Sequence, residues 1–600
     1  MGSPDMENIE IAQTLREVAN LLEILDANPF RVRAYRNAIR TVQEHAVPMR
    51  KLVEEGADLT ELPSVGKGMA ENIAELVETG DLSLIDQLIE ENPALVDRDV
   101  VSSLIEITSI PGIGPKKVRK LWEDLGVESV EDLKEAASEG RVAELEGFAK
   151  KTELRILEEI DRLATRTSRF RLGDVDELLP PLLDHMRGVE GVRRVEVAGS
   201  YRRRRETVGD IDLLVLADDA MAASEGLTSF DGVDRVIGAG GTKTSVSLRS
   251  GLQVDLRVVP DESWGAALVY FTGSKEHNIK LRQRALDRGL RVSEYGVFEI
   301  PPEEKDDVVG ERGVASSGAI VAGATEEDVY ESLDLPWIAP EIREDRGELA
   351  AAEEDGLPDL IEVGDLKGDL HMHSTWSDGR NTIEEMLAAC AARGYEYFCM
   401  SDHSKALAMV EGLDAVRLRQ QWAEIDGIAS RHPEIRILKS MEVDILKDGS
   451  LDLEDELLEE LDWVTVSIHS FFGLPAAEQT ERVLTGLSHP QVNVFGHPTG
   501  RIINRRGPIE IEIDEILQAC AEYGVAVEIN SHPNRLDLRD THAWRARELG
   551  VPITISTDAH RAEELDLIRY GVEQGRRAWL TPDDVLNTRP LDELLSWAAS

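Results

Sequence analysis

Cysteine is scarce: Cys390, Cys399 and Cys520 are the three thiols in 600 residues. Three cysteines without metal-like spacing cannot build a disulfide framework or a thiolate metal site, so a reduced, cytoplasmic setting is expected. Long apolar runs are lacking as well. No stretch approaches the roughly 18 consecutive apolar residues of a membrane span. The opening MGSPDMENIE has no charged-then-apolar leader, so no membrane partner is expected. Lysine is rare, with arginine outnumbering it about three to one, and 66 basic against 116 acidic residues leave a net charge of −50. By itself that favours an acidic protein that does not touch nucleic acid, because nucleic-acid-binding domains are usually basic. The acids, however, are spread along the chain and not gathered in a tail. A carboxylate-rich, lysine-poor surface suits a halophile's cytoplasm of molar salt, where high net charge preserves solubility. There the Debye length is only about 3 Å, and counterion release no longer helps binding. Contacts with a polyanion would then have to be short-range.

What is present is a globular composition, 42% hydrophobic and 30% charged, over a length that exceeds one hydrophobic core. Residues 1–165 read as helical, with apolar residues at i, i+3 and i+4 in 11–25 and 82–89. From about 166 the texture changes to alternation, in 192–197, 210–216 and 244–259, which predicts a sheet. Residues 261–340 mix helix and strand. A charged, alanine-rich stretch before Pro358 reads as a linker. Beyond it, short β-branched runs at 398–400, 464–468, 492–495, 525–529 and 553–556 alternate with helical stretches, which predicts βα units and a barrel-like α/β domain.

Two short segments, Leu62-Pro63-Ser64-Val65-Gly66-Lys67-Gly68 and Ile110-Pro111-Gly112-Ile113-Gly114-Pro115-Lys116, each lead from a helix end into an amphipathic helix. Glycines let such a turn approach a phosphate, and the free N–H groups at the next helix start can bind the anion. One copy could be an ordinary αα-turn; two copies about 48 residues apart point to helix–hairpin–helix elements that hold DNA backbone without reading sequence. The expected contacts are Val65, Gly66, Gly68, Gly112 and Gly114.

Gly199-Ser200-Tyr201-Arg202-Arg203 is followed by Val208-Gly209-Asp210-Ile211-Asp212-Leu213. Asp210 and Asp212, two apart on a strand, project from one face, and a third carboxylate, Asp255, lies in the alternating strand Val254-Asp255-Leu256-Arg257-Val258. Three acids can hold two Mg²⁺ or Mn²⁺ ions and orient a triphosphate, with Gly199-Ser200 donating to phosphate oxygens and an arginine stabilising charge on the leaving group. A solvated D-x-D at a strand end is the bland alternative, disfavoured by the Gly-Ser eleven residues upstream. Residues 199–213 resemble the palm signature of family X DNA polymerases, of which polymerase beta is the best known, and 254–298 resembles that family nearly residue for residue. The resemblance implies Asp210, Asp212 and Asp255 as catalytic metal ligands and Gly199, Ser200 and Arg203 as triphosphate contacts. It implies Tyr270, Phe271 and Gly273 of the Tyr-Phe-Thr-Gly-Ser segment as the lining of the sugar pocket, and Asn278 as a partner of the incoming base. Arg257 and Arg282 are expected on the DNA. One departure matters: where the family carries a Schiff-base lysine in the helix after the first hairpin, Met69-Ala70-Glu71-Asn72-Ile73 has Asn72, which offers no amine nucleophile. The N-terminal domain is therefore expected to bind DNA ends without lyase activity.

The last 240 residues concentrate imidazole and carboxylate: His371, His373, Asp378, His403, Glu442, His469, His497, Asp558 and His560. Nearly all follow an apolar strand run, a position that in an α/β barrel gathers at the C-terminal rim. Mixed His and carboxylate sets suit two or three of Mn²⁺, Zn²⁺ or Fe²⁺, which activate water and clamp phosphodiester oxygens. His432 and His532 lack the pattern, although His532 could line the mouth. Residues 363–600 resemble a PHP domain with all nine ligand positions filled, and Leu335-Pro336-Trp337-Ile338-Ala339-Pro340 onward resembles the segment that joins the two modules in bacterial and archaeal family X polymerases. The resemblance implies a 3′–5′ exonuclease or 3′-end-cleaning phosphoesterase.

The expected architecture is multidomain: a helical DNA-end-binding domain (1–82), a helix–hairpin–helix fingers-type domain (83–165), a nucleotidyltransferase palm (166–260) and a thumb-type nucleotide-selection domain (261–340), both α+β. A linker (341–362) and a C-terminal α/β PHP barrel (363–600) complete it. The expected function is base-excision-type DNA repair by short-gap filling on gapped or primer–template DNA with dNTPs, plus metal-dependent 3′-end processing, by a monomer. Two alternatives are a PHP phosphoesterase for a small phosphate ester with a degenerate polymerase half, and a DNA-end scaffold without chemistry.

Overall fold

The computed structural model describes residues 8–44, 49–54, 57–62, 64–79, 82–92, 95, 98–108, 110, 113–145, 147–148, 150, 152–157, 160, 169–301, 318–407 and 410–599. The chain divides into two compact units, Met1–Ser168 and Arg169–Ser600. In the first, the helical periodicity is realised. Helix Asn8–Ile24 buries Ile11, Leu15, Val18 and Leu22 at helical spacing. It packs on helix Pro29–Glu44 and on helix Pro115–Leu125, the helix that follows the second hairpin. The boundary expected at 82/83 is not a break in packing: Leu22, Ile73, Leu104 and Leu121 belong to one continuous core. Helix Pro115–Leu125 begins with proline at its first turn and ends on Gly126 at φ +67°, where glycine carries no Cβ penalty.

The second unit opens with a five-stranded sheet in the order Val192–Val197, Asp210–Ala217, Gln253–Val258, Lys243–Leu248, Val233–Ala239. The pairing of Asp210–Ala217 with Gln253–Val258 is parallel and the other three are antiparallel. The alternation read as one segment over 244–259 is a hairpin, because Arg249 to Leu252 turn the chain back. Along Asp210–Ala217, Ile211, Leu213 and Val215 face the core under helix Leu172–Arg187. Leu214 and Leu216 face the opposite core with Trp264 and Leu268 of helix Trp264–Thr272. The period of two thus fixes which face carries Asp210 and Asp212.

After that helix come helix Lys275–Asp287, a small antiparallel sheet (Leu290–Ser293, Gly296–Glu299, Ile320–Ala322) and helix Glu326–Glu331. The stretch expected as a linker is folded against them. Ile342 and Ala352 join the core of Val269, Leu281 and Tyr330. Arg343 is fully buried on Glu326 at 2.6 Å, and Glu348 meets buried His277 at 2.5 Å. The charge and alanine that read as a linker are here buried ion pairs and a short helix, Glu348–Glu353.

Seven parallel strands follow in chain order: Gly368–Asp369, Tyr397–Met400, Arg436–Asp444, Trp463–Ser467, Val494–Phe495, Ala526–Asn530 and Ile553–Ser556. They are buried on both faces, as parallel strands covered by crossover helices must be. A parallel bridge between Met372 and Ala559 joins the first strand's end to the last, and Thr557 donates through its hydroxyl to Asp369 at 2.6 Å across the same seam. All three cysteines are buried in this barrel and unpaired. The barrel and the five-stranded sheet share a core: Ile503, Leu536 and Tyr570 pack with Leu172, Leu213 and Val254.

Glu326 accepts two hydrogen bonds from Arg202 (2.8 and 2.7 Å) and one from Arg343. Burial would raise its pKa, but the two guanidiniums outweigh burial and bring it to about 2. Breaking a buried pair from one side costs about 3–5 kcal/mol, so Glu326→Gln is expected to lower denaturant stability by that order at pH 7. A depressed carboxyl contributes stability above its unfolded pKa and loses it as pH falls towards its folded value. The gap between wild type and variant should therefore shrink from about pH 4.5 to about 2, checked by urea melts across that window.

Candidate functional sites

The strand Asp210–Ala217 sets Asp212 directly opposite Asp255 on the parallel neighbour. Burial first, then the charges of Asp210 and Asp255, push the Asp212 carboxyl up to about 6, with Arg257 and Lys243 acting in the opposite sense. Asp255 is instead held below its ordinary value: burial is outweighed by Ser245, Gln253 and Lys243, whose Nζ lies 3.1 Å away. Gly199 presses its turn onto this group. At φ +66°, a Cβ there would sit 2.5 Å from Asp212 Oδ2, so only glycine brings Ser200 this close to the acids. Three carboxylates of which one is reluctant to ionise are a site short of positive charge, and a divalent cation supplies it.

The residues that the resemblance gave to nucleotide selection are gathered here. Asn278 Nδ2 donates to the carbonyls of Tyr270 (2.7 Å) and Gly273 (3.2 Å), tying the helix end to the turn. A Cβ on Gly273 would lie 2.6 Å from Asn278 Oδ1. The Tyr270 and Phe271 rings meet edge to face at 5.2 Å, Arg257 lies 4.6 Å over Phe271, and Arg282 Nε donates to the Asn278 carbonyl at 3.1 Å. Arg203 has protein partners that the sequence did not announce. Its guanidinium donates to the Thr272 carbonyl (2.7 Å) and to Glu344 (2.9 Å) and is nearly buried. Nothing in the sequence around Arg203 announces Glu344, 141 positions away.

In the first unit, a Cβ at Gly66, Gly68 or Gly114 would meet no atom within 4 Å. Packing against the described residues therefore does not demand glycine at these positions, and the space in front of them is open. Val65 contributes differently from expectation: its side chain is buried and its N–H bonds to the Leu62 carbonyl at 3.1 Å. Gly112 lies outside the described residues. A cleft of about 560 Å³ borders the first hairpin, lined by Arg31, Tyr35, Gly66, Lys67, Gly68 and Asn72. Within it Asn72 donates to the Tyr35 hydroxyl at 2.6 Å.

In the barrel, all nine expected residues converge. Glu442, on strand Arg436–Asp444, is the hub: its oxygens lie 2.9 Å from His403 and from His497, 3.4 Å from His371 and from His469, and 3.6 Å from His373. Asp558 lies 3.0 Å from His373, and Asp378 3.2 Å from His560. The donors form three overlapping sets: His373, Asp378, His403 and His560; His371, His373 and Asp558; and His403, Glu442 and His469. Buried without any hydrogen-bond partner are His371 Nε2, His373 Nδ1, His497 Nδ1 and both Glu442 oxygens. His371 Nε2, His373 Nδ1 and the Glu442 oxygens sit within the cluster, and this mixed set of donors fits divalent cations. Two of these residues hold left-handed backbone, His497 at φ +27° and Asp558 at φ +56°, strain of a kind that concentrates at functional sites. His532 stays outside the sets; its Nδ1 accepts from the Asn534 N–H at 3.2 Å.

Electrostatics splits the imidazoles. Burial and the charges of His560 and His403 bring His373 down to about 3. For His371, burial is outweighed by Glu528, Glu442 and Asp558, which hold it well above its ordinary value. Glu528 escaped the sequence reading. It accepts from His371 Nδ1 at 2.7 Å and from the His497 N–H at 2.7 Å, fixing the ring so that Nε2 faces the cluster. Asp444 does the same for His469 at 2.8 Å, and Asn530 donates to Asp558 at 2.9 Å. A buried acid inside an apolar strand, as in Ala526–Asn530, is the signal that could have found Glu528.

Asp212→Asn is expected to abolish palm chemistry yet stabilise the metal-free protein. A raised carboxyl leaves folding unpenalised below its unfolded pKa and weakens it as pH rises through about 6. At pH 7.5 in chelator the variant should be about 2 kcal/mol more stable, and equal to wild type below about pH 4; urea melts at both pH values check this. For the barrel, Glu528→Gln is expected to weaken metal affinity about 10- to 100-fold, measured by metal content after dialysis against graded chelator.

Comparison with known proteins supplies the lineage. Residues 6–82 match a helix-hairpin-helix domain and 104–162 a SAM-like helix-hairpin-helix tandem. Residues 174–246 match the DNA polymerase beta palm, 267–344 the DNA polymerase beta thumb and 369–532 the PHP domain. The chain is 38% identical over 591 residues to the DNA polymerase/3′-5′ exonuclease PolX of Bacillus subtilis (strain 168), covering 98% of this chain and 99% of that protein. It is 26% identical over 366 residues to DNA polymerase lambda of Arabidopsis thaliana, covering 57% and 62%. It is 29% identical over 232 residues to a probable phosphatase of Thermoanaerobacter sp. (strain X514), covering 37% of this chain and 89% of that one. With palm, thumb, hairpins and barrel present in one order along nearly the whole of a bacterial relative, the chain belongs to the family X DNA polymerases that carry a C-terminal PHP domain.

Proposed function

We propose that the protein is a DNA repair polymerase that adds dNTPs to primer 3′ ends in short gaps and processes 3′ ends through its barrel. The observation that carries it is that one chain holds both an acidic palm strand pair, with Asp212 opposite Asp255 and feeling the charge of Asp210, and a convergence of imidazoles and carboxylates around Glu442. Bound Mg²⁺ or Mn²⁺ at the palm, and two or three Mn²⁺, Zn²⁺ or Fe²⁺ ions at the barrel, would neutralise phosphate charge and activate the attacking oxygen. The chain's own part is placement. Gly199 and Ser200 meet the triphosphate, while Tyr270, Phe271 and Gly273 shape the sugar pocket, held by Asn278. Arg257 and Arg282 reach DNA from the same wall, and the two hairpins hold its backbone. In the barrel, Glu528 and Asp444 orient His371 and His469 so that each Nε2 faces the cluster, where it would hold an ion in exchange for its proton. The relative named a 3′-5′ exonuclease supports a phosphodiester substrate. The relative named a probable phosphatase supports a 3′-phosphate as a second substrate of the same site. No helix among the described residues is long and apolar enough to cross a membrane. A monomer acting in the cytoplasm on gapped DNA completes the proposal.

The test uses the purified chain in molar KCl with Mn²⁺ and DNA bearing a labelled primer at a one-nucleotide gap. Asp210→Ala should abolish extension and leave shortening intact, and His371→Ala should do the reverse. Shortening without extension in the wild type would falsify the polymerase reading and leave the barrel as the enzyme. In a parallel lane with an incised abasic site, borohydride should trap no covalent adduct, because Asn72 stands where an amine is needed.

A further inference from the structure

The turn 199–205, read above as the triphosphate site, is not held by the palm alone. Four consecutive arginines tie it to different parts of the unit, two of them meeting at Glu344. Arg202 goes to Glu326 and Arg203 to Glu344 and the Thr272 carbonyl. Arg204 pairs with Asp176 at 3.1 Å and with Glu573 at 2.8 Å, and Arg205 reaches Glu344 at 3.3 Å. Glu573 belongs to the barrel, on helix Ile568–Arg577. One turn further along that helix, Arg577 is 3% exposed. It donates to the Arg203 carbonyl at 2.7 Å, to Glu344 at 3.1 Å and to Asp540 at 2.7 Å. A buried relay therefore runs Asp540, Arg577, Glu344, Arg203, Thr272, ending one residue before Gly273 in the segment read as the sugar pocket. The turn needs such a clamp: Arg204 sits at φ +52°, a left-handed conformation that a non-glycine residue keeps only when its surroundings over-determine it.

We propose that helix Ile568–Arg577 of the hydrolytic barrel is a positioning element of the polymerase site, with Arg577 and Glu573 holding the 199–205 turn, and through Arg203 the Thr272–Gly273 turn, in the geometry that receives the nucleotide. This rests on the reading of that turn as the triphosphate site. The Arg577 fork meets the Arg203 carbonyl and Glu344 through one terminal nitrogen and Asp540 through the other, a spread that the single nitrogen of a lysine does not reproduce. Interface glue alone would lower stability and both activities together. A positioning role lowers nucleotide affinity selectively.

The experiment uses the full-length chain on the one-nucleotide gap. It measures KM for the dNTP and kcat of extension, the rate of 3′ shortening, and the thermal midpoint, for wild type, Arg577→Ala, Arg577→Lys, Glu573→Gln and Ser200→Ala. Arg577→Ala is expected to raise the dNTP KM at least tenfold with kcat changed less than threefold and shortening less than twofold, and Arg577→Lys to recover only part of that rise. A KM unchanged within twofold in folded Arg577→Ala, or extension and shortening falling in parallel, overturns the proposal. Should Arg577→Ala fail to fold, Glu573→Gln carries the same test, with at least a threefold rise in KM expected and an unchanged KM overturning it. Ser200→Ala separates the two readings. If it leaves KM unchanged, the triphosphate assignment of the turn fails, whatever the barrel variants show.

Discussion

The run Arg202 to Arg205 is the junction on which the second unit turns. Within four residues the chain commits guanidinium groups to the helix Glu326–Glu331, to the folded segment at Glu344, to Asp176 beneath the sheet and to Glu573 on the barrel. These pairs are largely buried, and two of them, Arg202 with Glu326 and Arg204 with Asp176, are two-pronged, a geometry that makes them directional. A solvent of high ionic strength screens exposed charges but reaches such pairs much less. An acidic surface and a core of arginine–carboxylate pairs therefore serve the same chain without contradiction.

Much of the site was legible because its chemistry is local in sequence. Asp210 and Asp212 share a strand face by the period of two, and most of the barrel ligands follow an apolar strand run, so their positions could be read locally. The structure agrees on all nine barrel positions being together. What was not legible depends on distant partners. The stretch 341–362 has the composition of a linker, and only the presence of Glu326 and His277 far upstream turns Arg343 and Glu348 into core residues. The resemblance gave Arg203 a phosphate role, and its bond to Glu344, 141 positions away, could not be read from the residues around it. Glu528 looked like one more strand residue, since a buried acid is explained only by the imidazole it orients, 157 positions away.

The two sites solve one electrostatic problem in different ways. At the palm, three acids share a face and Asp212 is left partly unwilling to ionise, a deficit that a cation relieves. In the barrel, Glu442 stands among five imidazoles and is held well below its ordinary value, burial being outweighed by His403, His469 and His371. The first site waits for charge; the second is already balanced by its own side chains and needs only the protons exchanged for metal.

The three buried cysteines have a separate consequence. Burial pushes the Cys390 and Cys399 thiols well up and Cys520 to about 12, and only the thiolate reacts with oxidants or alkylating reagents. A barrel lined with imidazole and carboxylate donors thus keeps its sulfur out of both coordination and redox chemistry. The same silence makes the thiols a reporter of the barrel's integrity, since alkylation of Cys399 records each opening of the strand Tyr397–Met400 in which it lies.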